Sequence, residues 1–292
     1  MSASCHGTDW RAARLAMMTE AGVAEWLASD GVRVVEHNGR YWQEVVPGFF
    51  QPVHYLARFE AEALGGPRRL CWGRRAVLVD RDAARANAVL PVHVLPDLAS
   101  YGLQRLDGRR RNAINKALRK VEPVVLATPG LLLAQGSAVI AEAAARNHHN
   151  RPVTKAPFDS WARALFKQPG PLVVAMLEAD RLLAFSITFA VDGTAYFQQH
   201  FVGHAGRSLN LDRLCFHVSA LIAKATPEVA TLVNGLHTPE NAGLADFKQS
   251  QGLVVRAYPS LTVINPLATA LIRRFRPNQY YRLTGRRRAA GE

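Results

Sequence analysis

Cysteine is scarce in this chain. Cys5, Cys71 and Cys215 are the only three in 292 residues, and none has a Cys-x-x-Cys or Cys/His ligand spacing. A disulfide framework and a structural zinc site are therefore not expected. No uninterrupted apolar stretch approaches the roughly 20 residues of a membrane-spanning helix. The segment Met1 to Trp10 lacks the basic-then-apolar order of an export signal, so the expected location is cytoplasmic. There is no G-x-S-x-G nucleophile elbow and no visible internal repeat. Acidic residues are also few, 23 Asp+Glu against 36 Lys+Arg.

What remains is a globular composition with an excess of positive charge. Apolar residues make up 49% and charged residues 20%, which argues against disorder, collagen or coiled coil. The net charge of +13 draws the surface toward polyanions: nucleic acid, anionic membrane or phosphorylated small molecules.

The patterning is mixed α and β. A helix is expected from about 9 to 28, then a hairpin turning at Asn38-Gly39, a pair suited to a type I′ turn. Strands are expected near 76–80 and 90–95. Over 98–121, plotted at about 100° per residue, Ala113, Ile114, Ala117, Leu118 and Val121 are assigned to one face, opposite Arg109, Lys116, Arg119 and Lys120. The second half offers helices near 131–147 and 158–167. Three strand runs follow at 172–178, 182–191 and 194–202, whose short turns force antiparallel neighbours. A helix at 209–224, a strand at 229–234, a helix over 243–249 and strands across 253–264 complete the order. The expected division is 1–126 and 127–292. His148-His149 reads as a loop at a helix end, since adjacent histidines point in different directions. The run from Pro266 to Arg288 sets Leu267, Leu271 and Phe275 at helical spacing among arginines, suited to peripheral contact with a membrane or to nucleic-acid phosphates.

Two segments carry the chemistry. Gly243-Leu244-Ala245-Asp246-Phe247-Lys248 leads on to Gly252, and the basic helical segment holds Arg111, Ile114, Lys116 and Ala117. In this order they resemble the Gly-Leu-x-x-Phe-Lys-x-x-x-Gly and Arg-x-x-Ile-x-Lys-Ala signatures of the FemAB-like branch of the GNAT-fold acyltransferases. The resemblance implies an α+β fold of two GNAT-related halves, each a mixed central sheet flanked by helices. It also implies an enzyme that forms an amide by acyl transfer. Lys248 matches the family's lysine near the site of transfer, where a fixed ammonium stabilises an oxyanion or holds a donor phosphate. Glu240 is the first candidate to take the proton of the attacking amine. Phe247, Arg109, Arg111, Lys116, Arg119 and Ser208 are expected at the donor, and Tyr196, His200 and His237 at the acceptor.

The turn Gly203 to Ser208 stands where CoA-using members carry a Gln/Arg-x-x-Gly-x-Gly/Ala loop, whose amides cradle a pyrophosphate. Only Gly203 and Gly206 keep a trace of it. That erosion and the basic charge favour aminoacyl-tRNA over acyl-CoA as donor, with a small-molecule or peptide amine as acceptor and with neither metal nor bound cofactor. The alternatives are an acyl-CoA- or carrier-dependent N-acyltransferase and a non-catalytic nucleic-acid or membrane-surface binder.

Overall fold

The computed structural model describes residues 7–65, 71–145, 154–167 and 170–286; His148-His149, Arg287 and Arg288 lie outside them. In chain order the elements begin β1 (Gly7–Asp9), β2 (Met17–Met18), α1 (Glu20–Ser29), β3 (Val34–His37), β4 (Arg40–Val46), β5 (Phe49–Pro52), β6 (Arg58–Phe59), β7 (Gly73–Leu78), β8 (Ala88–Leu95), α2 (Gly108–Leu118) and β9 (Glu122–Leu126). They continue α3 (Ser137–Ala144), α4 (Lys155–Ala164), β10 (Leu172–Glu178), β11 (Arg181–Val191), β12 (Thr194–Val202), α5 (His204–Ser208), α6 (Leu211–Ala225), β13 (Thr231–Leu236), α7 (Ala242–Ser250), β14 (Val254–Ile264), α8 (Pro266–Phe275) and α9 (Pro277–Thr284). They form two compact units interleaved in sequence.

The first unit comprises the segment up to Met18, Leu95–Val233 and Ser250–Gly252. Its strands run in the order β1, β9, β10, β11, β12 and then the start of β13. Neighbours are antiparallel except at β12 and β13, where Thr194 and Tyr196 oppose Thr231 and Val233 in parallel. The meander follows from its turns: Ala179, Asp192 and Gly193 all have positive φ, which reverses the chain in two residues. α6 lies across β10, β11 and β12 and buries Leu214, Phe216, Val218 and Ile222. On this sheet Phe185 is fully buried, 5.0 Å from Phe201 and 6.4 Å from Trp161 between ring centres.

The second unit comprises Thr19–Val94, Asn234–Gln249 and the chain from Leu253 onward. Its strand order is β8, β14, β7, β5, β4, β3. The long β14 is antiparallel to both neighbours, with Val254 opposite Val94 on one side and Ser260 opposite Val77 on the other. Trp42, Phe50, Ala57, Phe59, Leu64 and Ala76 make a buried cluster. Glu20 at the start of α1 accepts from Arg40 of β4 at 2.7 Å and 2.9 Å, tying helix to sheet.

Several elements match the sequence reading. The hairpin turns at Asn38 and Gly39, both at positive φ, and the three-strand meander falls as expected. Three differences have physical causes. The helix expected over 9–28 is replaced by β1, β2 and a ten-residue α1, because Thr19 caps α1 by accepting from the Gly22 N–H. The N–H of Leu15 bonds the Thr226 hydroxyl instead of a helical carbonyl. α2 begins only at Gly108, where Asp107 accepts from the Arg110 N–H. The units also divide differently from a cut after Leu126: β9 pairs with β10 through Val125 and Val174, so that strand is internal to the first unit.

Phe185 tests the first unit. Replacing Phe185 by Ala should cost about 3–5 kcal/mol through lost burial and the cavity left behind. The cost should appear as a lower denaturation midpoint in guanidinium with little change in slope.

Candidate active site

The second unit turns a strand end into a short helix. Gly235, near the end of β13, sits at φ +67°, a conformation that costs a side-chain-bearing residue. After the turn, the Asn241 side chain accepts from the Leu244 N–H at 3.0 Å, capping α7. α7 ends where Gly252 takes φ +88° and the Leu253 N–H reaches back to the Lys248 carbonyl at 3.3 Å, a Schellman-type close. Lys248 thus stands in the last turn, and its side chain leans back toward β13.

Lys248 is 7% exposed. Its Nζ donates to the Asn234 carbonyl at 2.6 Å, and it has no ion pair among the described residues. One of the three N–H donors of an ammonium is used in this way. Burial lowers its pKa to about 8, because a low-dielectric site disfavours the charged form. His93 of β8, 1% exposed, is pushed down to about 4 by burial and then by the charges of Lys248 and His237. It is neutral at physiological pH, and its Nδ1 has no hydrogen-bond partner among the described residues. The His93 and His237 rings lie 5.5 Å apart, and His237 Nδ1 shares a 2.8 Å hydrogen bond with the Tyr281 hydroxyl on α9. The neighbouring Arg282 forms an ion pair with Glu240. A buried ammonium, a neutral imidazole and a Tyr–His pair therefore converge on one strand end, which suits stabilisation of a developing negative charge.

Of the residues singled out from sequence, Lys248, Phe247, Glu240 and His237 belong to this unit. Glu240 is engaged by Arg282, and the cap of α7 is Asn241. The remaining candidates belong to the first unit. Arg109, Arg111, Lys116 and Arg119 are exposed along α2 and its end, while Ile114 and Ala117 face the core as the periodicity predicts. Ser208 ends α5 and donates to the Ala205 carbonyl at 2.9 Å. Tyr196 is buried and stacked on Phe189 at 4.9 Å, and His200 stacks on Phe197 at 5.2 Å. A cavity of about 620 Å³ in the first unit is lined by Trp10, Arg11, Arg119, Lys120 and Glu122 among others, and Lys248 is not part of it.

Sequence reasoning missed His93, Tyr281 and the role of the Asn234 carbonyl. His93 left a signal: it interrupts the apolar run Leu90 to Leu95 at a position a buried strand would give to an aliphatic side chain. Tyr281 left none, being one aromatic in a basic C-terminal run.

Two outcomes test this geometry. Gly235→Ala should lower the melting temperature, with a cost of about 1 kcal/mol for the positive φ; an added Cβ would also stand 3.6 Å from Lys248 Nζ. The second concerns pH. The lysine pKa falls from 10.5 unfolded to about 8 folded, so between these values the unfolded chain binds more protons and stability rises with pH. The shift corresponds to something on the order of 3 kcal/mol. Lys248→Met should be at least as stable as the natural protein below pH 8, and the difference should shift toward the natural protein as pH climbs past 8, read by thermal melts.

No protein-family model matches the sequence, and no curated protein matches it. Solved structures do match in fold. FemX superposes with a TM-score of 0.59 at 12% identity, over 90% of this chain and 96% of the FemX chain. The C-terminal domain of a protein described as a lysylphosphatidylglycerol synthetase, from Agrobacterium fabrum, gives 0.57 at 11% identity over 93% and 99%. L-PGS from Bacillus licheniformis gives 0.53 at 12% identity over 90% and 93%. At such identities the likeness is one of fold, and this chain has the α+β, GNAT-type fold that those structures share.

Proposed function

We propose that the protein is an acyltransferase that moves an aminoacyl group from aminoacyl-tRNA to an amine acceptor, with Lys248 at the site of transfer. The observation that carries this reading is the buried Lys248 ammonium, fixed on the Asn234 carbonyl at the end of β13. It stands at the position the FemAB-like motif assigns to transfer, within a fold shared with FemX and with structures named for lysylphosphatidylglycerol synthesis.

The acceptor nitrogen attacks the ester carbonyl, a C–N bond forms, and the C–O bond to the terminal ribose of the tRNA breaks. The carbonyl oxygen carries negative charge at the tetrahedral stage, and the ammonium of Lys248 donates to it. The amine proton passes to the leaving ribose oxygen through water held by the substrates. Glu240 is the weaker candidate for that relay because its carboxylate is already engaged by Arg282. Arg109, Arg111, Lys116 and Arg119 supply an exposed cationic face for phosphates, and a net charge of +13 supports RNA as the donor carrier.

Incubation with labelled aminoacyl-tRNA and, separately, with acyl-CoA over a panel of amines tests the donor. Amide product from the tRNA arm alone is expected; product from the CoA arm alone would reassign it. Lys248→Met should cut turnover by about 100-fold or more while leaving the fold intact, and an unchanged rate would remove Lys248 from the chemistry. In the natural protein the rate should fall as pH rises through about 8, where the ammonium loses its proton.

A further inference from the structure

α8 is a well-formed helix that buries none of its side chains fully. Asn265 caps it, accepting from the N–H groups of Leu267 at 2.9 Å and Ala268 at 3.4 Å, and Pro266 occupies its first turn. One side, Ala268, Thr269 and Ile272, is half-buried, and the helix packs beside α9. The adjoining face carries Leu267, Leu271 and Phe275 at i, i+4 and i+8, which are 77%, 59% and 68% exposed. Three large apolar side chains in a continuous exposed stripe are unusual for a surface with no function.

The charge along this stretch of the chain has one sign. No Asp or Glu occurs between Asp246 and Glu292. Arg273, Arg274 and Arg276 cluster at the end of α8, with the Arg274 guanidinium 5.6 Å from the Phe275 ring centre. A second copy of the chain would bring these arginines against themselves. RNA would satisfy the arginines and could stack a base on Phe275, but it offers nothing to bury Leu267 and Leu271. The surface of an anionic bilayer satisfies both: acyl chains below the headgroups take the leucines and the phenylalanine, and lipid phosphates take the guanidinium groups.

We propose that α8 is a peripheral docking helix for anionic phospholipid membranes, lying in the plane of the interface with Leu267, Leu271 and Phe275 inserted and Arg274 and Arg276 at the phosphates. The claim is independent of the chemistry at Lys248.

Co-sedimentation with phosphatidylcholine vesicles, with or without phosphatidylglycerol, tests it. The protein should pellet with the phosphatidylglycerol vesicles, weakly with the neutral ones, and less as salt rises. Leu271→Ser combined with Phe275→Ser should weaken binding by about tenfold or more, given the apolar burial lost, with an unchanged melting temperature because both side chains are exposed. Lys248→Met should sediment as the natural protein does. The proposal is overturned if the double variant pellets like the natural protein, or if neutral vesicles bind equally well. It is also overturned if the natural chain is a dimer in light scattering and the double variant a monomer, which would make the stripe a self-interface. Loss of tRNA binding in the double variant, with vesicle binding intact, would assign the stripe to RNA and overturn it likewise.

Discussion

A buried ammonium whose one hydrogen-bond partner among the described residues is a backbone carbonyl constrains much of the second unit. Removing a lysine charge from water costs several kcal/mol unless strong partners replace the solvent. The partner found for Lys248 is the Asn234 oxygen at 2.6 Å. Asn234 lies beside Gly235, which takes a left-handed φ of +67° near the end of β13. For the lysine to reach that carbonyl, α7 must start and stop within a few residues, which Asn241 and Gly252 arrange. A residual cost remains, and it appears as the fall of the pKa to about 8. Such a site is poised: the cation is present at neutral pH but incompletely satisfied, and negative charge developing on a bound ester would supply what the fold withholds.

The same unit contains a second buried cation with a different task. Arg75 of β7 is fully buried and hydrogen-bonded to the Gln51 side chain at 2.8 Å and to the Arg282 carbonyl near the end of α9. A guanidinium keeps its charge where an ammonium sheds it, and Arg75, though lowered to about 10 by burial, stays protonated at neutral pH. Its hold on α9 fixes the helix that presents Tyr281 to His237 and Arg282 to Glu240. Arginine thus serves as a strut and lysine as the responsive charge.

What could be read from the sequence follows from the range of each interaction. The Asn38-Gly39 hairpin and the meander are set by local turn chemistry and appear where expected; periodicity gave the two faces of α2 but not its start at Gly108. The helix expected over 9–28 failed because a contact 211 residues away, Leu15 to Thr226, claims its backbone. At the site, the Phe247-Lys248 pair was visible as a family-like string, yet nothing local told of the lysine's burial or of Asn234 as its partner. His93 and Tyr281 are distant in sequence from Lys248 and are gathered only by the sheet and by α9. The interleaving of the two units was likewise hidden, because β9 and β10 pair across a long connection and no linker composition marks the true boundaries.

The cysteines among the described residues give no support to a covalent acyl-enzyme in the proposed transfer. An acylated cysteine requires an accessible thiolate, normally obtained by lowering the thiol pKa. The two cysteines among the described residues go the other way. Cys215 is fully buried in α6, and burial drives its thiol well above the usual range. Cys71 is also raised by burial, and its thiol donates to the Gly73 carbonyl at 2.9 Å. His217, the imidazole two residues after Cys215, is held down to about 4 by burial and is engaged by the Tyr101 hydroxyl at 3.2 Å, so it neither stabilises a thiolate nor carries charge at neutral pH. Cys215 and His217 lie buried in the first unit, and the Cys71 thiol in the second is engaged by the Gly73 carbonyl, so the charge suited to the proposed transfer is the one near the end of β13. A single displacement at an ester carbonyl asks for little more than that charge, held where the oxyanion forms.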